Sequence, residues 1–384
     1  MRCKIVVLGI TGSVGTSAEK IISAFPEKFE LIGCSAGDNI SGLNAIISKH
    51  RSSLQAVSVK EKDKESEVEF DKTSIFSGEE GLLKLLNLHP DKIVMAIAGN
   101  AGWKTTVEAV KMGIPVCLAN KESVVIAGCL LGKNITSDRN KIIPVDSEHA
   151  ALMQIIGEND IENSLKVYLT ASGGAFRDIS LEEMLNSDVQ AALNHPVWNM
   201  GAKVTIDSAT MLNKGLELIE AYWLFGIQPE KLDVLIHPEV DVHAIILFKD
   251  GSSKAQVAPS SMLGPVAAAL AYPEMLPLTE NIPDVLFSYS GKKMSFYSPD
   301  LKKYPLLKIA FDLIKHEDYS GMIAYAVSDE IAVDKFIKKE IKIRGIHEIV
   351  SKSVEKFSGI NSPTYIYEIE ELIRKIEKYS KTLL

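Results

Sequence analysis

A chain of 384 residues with 46% hydrophobic and 24% charged residues has the composition of a globular protein, and it is too long for one compact core. Its net charge of −8 excludes a broadly basic surface for nucleic acid or membrane, although a local basic pocket for a phosphate stays open. The four cysteines, Cys3, Cys34, Cys117 and Cys129, lack metal-binding spacing and lie in apolar, strand-like contexts, as expected of buried reduced thiols in a cytoplasmic protein. No secretory or transit pattern is read before the first strand, and no apolar run is long enough for a bilayer.

Lys4 to Leu8 is a short apolar, β-branched run, followed by GITGSVG and a helical pattern over Ser17 to Phe25. Gly9, Gly12 and Gly15 allow a tight turn, a close backbone approach to a pyrophosphate and close helix–strand packing. A second strand, Leu31 to Ala36, ends in Gly37-Asp38-Asn39. Strand, glycine turn, helix and strand together predict nucleotide binding; a structural glycine turn is the alternative. Asp38 stands where an acidic residue accepts from the ribose 2′-OH of NAD, so this residue alone argues for NADH over NADPH.

The alternation continues. KEKDKESEVEF reads as a solvated surface segment, Gly81 to Leu88 as a helix, Lys92 to Ala98 as a buried strand and Ala101 to Met112 as a helix. Pro115 to Leu118 is another strand, leading into Asn120-Lys121-Glu122-Ser123 and the helix Val124 to Leu131. The pattern predicts a doubly wound parallel sheet, whose ligands gather past the carboxyl ends of the strands. Lys121 is a candidate site residue on that ground, with a surface lysine at a helix start as the competing explanation.

Ile142 to Val145 breaks into Asp146-Ser147-Glu148-His149. Two carboxylates two residues apart can offer hard oxygen ligands to Mg²⁺ or Mn²⁺; a capping box is the bland alternative. After the strand end Tyr168 to Thr170, Ala171-Ser172-Gly173-Gly174 puts a hydroxyl and free N–H groups at a loop, which suits a phosphate. Ser172 lacks the spacing of a hydrolase elbow and is not read as a nucleophile. NHPVWNMGAK, from Asn194 to Lys203, suggests a lid over substrate, against a loop tryptophan packed on the core.

Thr205 to Gly226 reads as one helix, with Asp207 and Ser208 offering an N-cap and Gly226 ending it. It is apolar over most of its circumference and is expected to be largely buried, while Thr210, Asn213, Lys214, Glu217 and Glu220 share one strip. That strip is either an ordinary solvated face or the wall of a polar pocket, and Glu217 can supply a third carboxylate. Gly215 inside the helix suggests a close approach to its backbone. Pro259 to Pro265 is loop-like, Val266 to Ala271 a short apolar helix, and Tyr272 to Lys302 a proline-rich linker with a few short strands. Pro305–His316, Gly321–Ile341, Ile346–Phe357 and Thr364–Lys381 then predict a small four-helix bundle in which no chemistry is read.

In this order GITGSVG, LANKES, VDSEHAA, LTASGG, NHPVWNMG and DSATMLNKGLELIEA make the chain resemble, nearly end to end, the 1-deoxy-D-xylulose 5-phosphate reductoisomerases. The resemblance implies a metal- and NADPH-dependent isomerisation and reduction giving 2-C-methyl-D-erythritol 4-phosphate in non-mevalonate isoprenoid synthesis, by a cytoplasmic homodimer. It implies Asp146, Glu148 and Glu217 as ligands of Mg²⁺ or Mn²⁺, with Co²⁺ a further choice. Substrate contacts fall on Lys121, Ser147, Glu148, Ser172, His195, Ser208, Asn213 and Lys214, besides Glu217, with Lys121, Glu148 and His195 as the catalytic set. Cofactor contacts fall on Thr11, Gly12, Ser13, Val14, Gly37, Asn39, Asn120, Glu122 and Gly201, next to Asp38. The expected organisation is a Rossmann-like domain over 1–146, a central α/β catalytic domain over 147–271 with a flap at 194–203, a linker over 272–303 and the helical bundle over 304–384.

Two places depart from the pattern. Many relatives carry a basic residue where Asp38 stands, and a carboxylate there opposes the 2′-phosphate of NADPH. HPEVDVH, from His237 to His243, replaces a more usual HPQS-type segment, with His243 as a possible contributor to the site. A semialdehyde dehydrogenase would need a nucleophilic cysteine in the catalytic domain, whereas all four precede residue 130. A sugar-phosphate aldolase or isomerase without a redox step leaves GITGSVG unexplained, and a non-catalytic nucleotide-binding regulator leaves the three carboxylates unexplained.

Overall fold

The computed structural model describes residues 2–132, 142–157, 159–194, 197–198, 200–281 and 288–384. The chain divides into two units: Met1–Asn120, Asp138–Ala150 and Ser261–Leu286 make the first, and Lys121–Ser137, Ala151–Ser260 and Phe287–Leu384 the second.

The first unit opens with β1 (Cys3–Leu8), α1 (Ser13–Ala24), β2 (Phe29–Ala36), α2 (Ile40–His50), β3 (Ala56–Val59), β4 (Ile75–Ser77), α3 (Gly78–Leu86), β5 (Lys92–Met95), α4 (Trp103–Lys111) and β6 (Val116–Leu118). After α5 (Lys121–Leu131), which belongs to the second unit, β7 (Ile142–Pro144) completes a seven-stranded sheet in the order β4-β3-β2-β1-β5-β6-β7. Every pairing in it is parallel. Ile5, Val6, Val7 and Leu8 are all fully buried, as a central strand covered on both faces must be. The strand order reverses between β1 and β5, so the glycine turn after β1 lies at the topological switch point of the predicted doubly wound sheet. KEKDKESEVEF is the surface segment expected, an exposed 3₁₀ turn over Lys62–Glu67.

After α6 (Ser147–Ile155), the second unit runs through α7 (Asp160–Asn163), β8 (Ser164–Ala171), α8 (Leu181–Asn186), α9 (Val189–Leu193), α10 (Ala202–Ala209), α11 (Leu212–Phe225), β9 (Leu232–Ile236), β10 (Val242–Phe248) and β11 (Ser253–Val257). Its four strands form a mixed sheet in the order β11-β10-β8-β9. The chain then returns to the first unit with α12 (Leu263–Ala271) and α13 (Leu278–Asn281). There Lys92 Nζ caps the end of α12, donating to Leu270 O and Tyr272 O at 2.8 Å each. Four helices, α14 (Pro305–Lys315), α15 (Tyr319–Ile337), α16 (Ile343–Phe357) and α17 (Ile366–Thr382), form the C-terminal helical region.

The expected single helix from Thr205 to Gly226 is two helices. Asp207 and Ser208 lie inside α10, and Met211, at φ +59°, turns the chain into α11. Thr210 stabilises the break locally: its hydroxyl donates to Asp207 O at 3.2 Å and accepts from Leu212 N at 3.4 Å. Gly226 closes α11 in the left-handed conformation, the helix stop that the glycine predicted. α11 is buried on nearly every side, and Gly215 has a packing reason. A Cβ there would stand 2.2 Å from Tyr325 Oη and 3.0 Å from Ala310 Cβ, so the close approach is made by α14 and α15. Among the described residues no helix is long and apolar enough to cross a membrane.

Candidate functional site

In the first unit the glycine turn is shaped by backbone. Gly9 has φ +87°, and a Cβ on it would lie 2.6 Å from Ala96 O; one on Gly15 would lie 2.2 Å from Gly9 O. Gly9 N and Ile10 N both donate to Ser35 O, at 3.1 and 2.8 Å, which pins the turn to the end of β2. Gly12 is the N-cap of α1 and brings no side-chain acceptor to its first turn, where Thr11, Ser13 and Val14 lie exposed or half-buried. Gly37 and the exposed Asp38 follow β2, and Asn39 accepts from Gly42 N at 2.9 Å as the N-cap of α2. Asn120, past β6, is buried and donates to Ile97 O and Gly99 O at 2.7 Å each, so it also holds the loop after β5.

Past β7 come Asp146, Ser147 and Glu148, all half-buried. His149 is fully buried, with Nδ1 3.2 Å from Asp146 Oδ1, and Ser147 Oγ donates to Glu148 Oε2. A carboxylate steered by a buried imidazole and its neighbour steered by a hydroxyl are the outer contacts that orient oxygen ligands for a hard cation. The expectation from sequence passed over this role for His149.

In the second unit the strip on α11 gathers around one carboxylate. Glu217 is 2% exposed. Lys121 Nζ, at the start of α5, lies 3.0 Å from Glu217 Oε1 and 2.8 Å from Asn213 Oδ1. Asn213 Nδ2 donates to Glu217 Oε1, and the Lys214 ammonium pairs with Glu217 Oε2. Two ammonium groups and an amide on one buried carboxylate make a polar cluster on a mostly apolar helix, which also buries Glu220. The alternative of a solvated face for this strip is therefore set aside.

The loop after β8 carries Ser172 at 8% exposure, followed by Gly173 at φ +85° and Gly174 at φ +68°. A Cβ on Gly174 would fall 2.4 Å from Ser208 O, so this loop and the end of α10 lie backbone to backbone. Of the predicted flap, His195, Pro196 and Asn199 lie outside the described residues; Val197 is exposed, Trp198 half-buried and Gly201 exposed at the N-cap of α10. In HPEVDVH, His237 and His243 are buried: His237 Nδ1 lies 2.9 Å from Ser295 O, and its Nε2 accepts from Asp241 N at 3.1 Å.

Three family models match the chain: 1-deoxy-D-xylulose 5-phosphate reductoisomerase over residues 5–128, its C-terminal domain over 142–225, and a DXP reductoisomerase C-terminal domain over 257–378. A 1-deoxy-D-xylulose 5-phosphate reductoisomerase of Thermodesulfovibrio yellowstonii is 39% identical over 378 residues, covering 98% of each chain. This chain belongs to the 1-deoxy-D-xylulose 5-phosphate reductoisomerase family. One of Thermoanaerobacter sp. (strain X514) is 37% identical over 387 residues, again covering 98% of each. Among solved structures, a DOX-P reductoisomerase in complex with NADPH, fosmidomycin and magnesium superposes with a TM-score of 0.90 at 32% identity, covering 100% of this chain and 98% of the other. The Zymomonas mobilis reductoisomerase in complex with NADPH gives 0.85 at 30% identity, covering 100% and 99%.

The reductoisomerase fold of this chain also buries a cluster that the sequence did not announce. Lys203 Nζ lies 2.7 Å from Asp207 Oδ2, 2.6 Å from Asp329 Oδ2 and 3.3 Å from Glu122 Oε1. Burial alone would lower the Lys203 ammonium, yet Asp207, Asp329 and Glu122 hold it well above its usual range. Burial pushes the Asp329 carboxyl well up, Asp207 adding to the shift and Lys203 opposing it; Asp207 is raised by burial against the same ammonium. The sequence ends a loop at Lys203 and reads as helix only from Thr205, so it offers no pairing of Lys203 with Asp207, and Asp329 is supplied by the C-terminal helical region.

Proposed function

We propose that this chain catalyses the metal- and NADPH-dependent conversion of 1-deoxy-D-xylulose 5-phosphate into 2-C-methyl-D-erythritol 4-phosphate, a step of non-mevalonate isoprenoid biosynthesis. The observation that carries the residue assignment is Glu217, a buried carboxylate faced by Lys121, Asn213 and Lys214. Asp146, Glu148 and Glu217 are assigned as the ligands of Mg²⁺ or Mn²⁺. Their oxygen-only chemistry fits a hard cation, and the His149 contact supports Asp146 in that role. When bound, the divalent ion supplies Lewis-acid stabilisation of oxyanion charge and NADPH supplies the hydride.

The protein's own groups do the rest. Lys121, with its ammonium held by Asn213 and Glu217, and Glu148 manage charge and protons at the reacting oxygens. Ser172, Ser208, Asn213, Lys214 and His195 hold the substrate phosphate. That remote binding energy closes the 194–203 flap and excludes water, so a substrate lacking the phosphate loses turnover as well as affinity. Thr11 to Val14, Gly37 to Asn39, Asn120, Glu122 and Gly201 receive the dinucleotide. Residues 1–146 serve as the dinucleotide domain, 147–271 as the catalytic segment, 272–303 as linker and 304–384 as the helical domain of a cytoplasmic homodimer. The decisive experiment is Glu217→Gln, with turnover followed by NADPH oxidation and Mg²⁺ binding by calorimetry. Turnover falls at least about 10²-fold, Mg²⁺ affinity falls with it, and the circular dichroism spectrum is unchanged. Near-normal turnover in this variant removes the ligand assignment.

A further inference from the structure

We propose that Lys303 and Arg177 are positioning residues for the substrate phosphate: Arg177 fixes the carbonyl of Ser172, and Lys303 fixes the Phe176–Ile179 turn that carries Arg177. The proposal rests on the reading above that the Ser172–Gly174 loop receives the phosphate. Five carbonyls between Ser172 and Ile179 are collected by side chains. Arg177 Nη1 donates to Ser172 O at 3.1 Å and Tyr304 Oη to Gly173 O at 3.4 Å. Lys303 Nζ donates to Phe176 O, Arg177 O and Ile179 O at 2.7, 2.9 and 2.6 Å.

A trans peptide points its C=O and the following N–H in opposite directions. Fixing Ser172 O on Arg177 therefore aims Gly173 N–H the other way, and fixing Gly173 O on Tyr304 does the same for Gly174 N–H. Gly174 N–H donates to Ser172 Oγ at 3.1 Å, which sets the hydroxyl on that side as well. Two successive glycines at positive φ allow this arrangement, and it needs the carbonyl side held. Charge by itself is not what these two cations add. Arg177 is already paired with Asp178, its Nε 3.0 Å from Oδ1 and its Nη2 2.8 Å from Oδ2. Burial lowers the Lys303 ammonium, with Asp178 and Asp300 opposing that shift. Their contribution is directional, and Lys303 comes from the segment just before α14, distant in sequence from the turn it holds.

The test is steady-state kinetics on the full chain for Lys303→Met, Lys303→Arg, Arg177→Met and Ser172→Ala. Lys303→Met raises KM for 1-deoxy-D-xylulose 5-phosphate about tenfold while KM for NADPH stays within about twofold, as expected when several charge-assisted bonds to one loop are lost. Lys303→Arg restores most of the loss. Arg177→Met, at a half-buried side chain, gives the same one-sided effect and serves where Lys303→Met does not fold. Unchanged substrate KM in both Met variants, or a proportional rise in both Michaelis constants, overturns the proposal. If Ser172→Ala raises the substrate KM and the Met variants do not, only this inference falls. An unchanged KM in Ser172→Ala removes the phosphate assignment itself, and this inference with it.

Discussion

Replacing Lys203 by Met tests the buried charge cluster quantitatively. The ammonium is ringed by Asp207, Asp329 and Glu122, of which Asp207 is 1% and Asp329 0% exposed. Burial already pushes the Asp329 carboxyl well above its usual range with the ammonium beside it, and Asp207 is raised by burial against the same ammonium. Removing the ammonium removes that opposition, so the variant is expected to fold with Asp207 protonated. From an unfolded carboxylate pKa of about 3.9, that costs about 4 kcal/mol at pH 7 and about 1.5 kcal/mol at pH 5. The first figure agrees with the roughly 3–5 kcal/mol for breaking a buried ion pair. The sign follows from proton binding: a carboxyl raised in the folded state keeps a proton that the unfolded chain releases. Its contribution to stability is present below the unfolded pKa and is lost as pH rises toward the folded one. Thermal unfolding followed by circular dichroism should show Lys203→Met depressed on the order of 10 °C at pH 7, and markedly less relative to wild type at pH 5. Adding Asp329→Asn to Lys203→Met should recover part of the loss at pH 7. An equal depression at both pH values, or none, would show that the three carboxylates are not sharing one ammonium in a dry site.

Gly215→Ala places a Cβ 2.2 Å from Tyr325 Oη, whose ring is fully buried, so overpacking of about 1–3 kcal/mol should outweigh a helix-propensity gain of about 1 kcal/mol. Adding Tyr325→Phe should return part of that stability in thermal melts; an equal loss with and without the hydroxyl would place the clash elsewhere. Under the proposed cofactor assignment, Asp38, exposed past β2, opposes a 2′-phosphate, so Asp38→Lys should raise the NADPH-to-NADH ratio of kcat/KM by about tenfold. A large wild-type preference for NADPH that this change leaves alone would mean that Asp38 does not face the ribose.

Much of the architecture follows from local rules. Continuous β-branched runs of the kind in β1 are stable only as covered parallel strands, and Gly9 and Gly15 could be read because no side chain fits where their neighbours lie. The grouping of Asn213, Lys214 and Glu217 was legible because helical periodicity is local. The break at Met211 was not, since methionine carries no signature of a left-handed turn and the break is stabilised by the Thr210 hydroxyl. Gly215 announced a close approach to its backbone, but not that the neighbour would be Tyr325 from another helix.

Order along the chain thus determined which residue types stand at strand ends and helix faces, and from those the class of chemistry. Tertiary structure decided which of them share a dry environment. Lys121 reaches Glu217 across 96 positions, Lys203 reaches Asp329 across 126, and Lys303 reaches the carbonyl of Ile179 across 124. Periodicity carries no information over such separations. A buried charge or carbonyl selects its partner by desolvation, and desolvation exists only once the elements have packed.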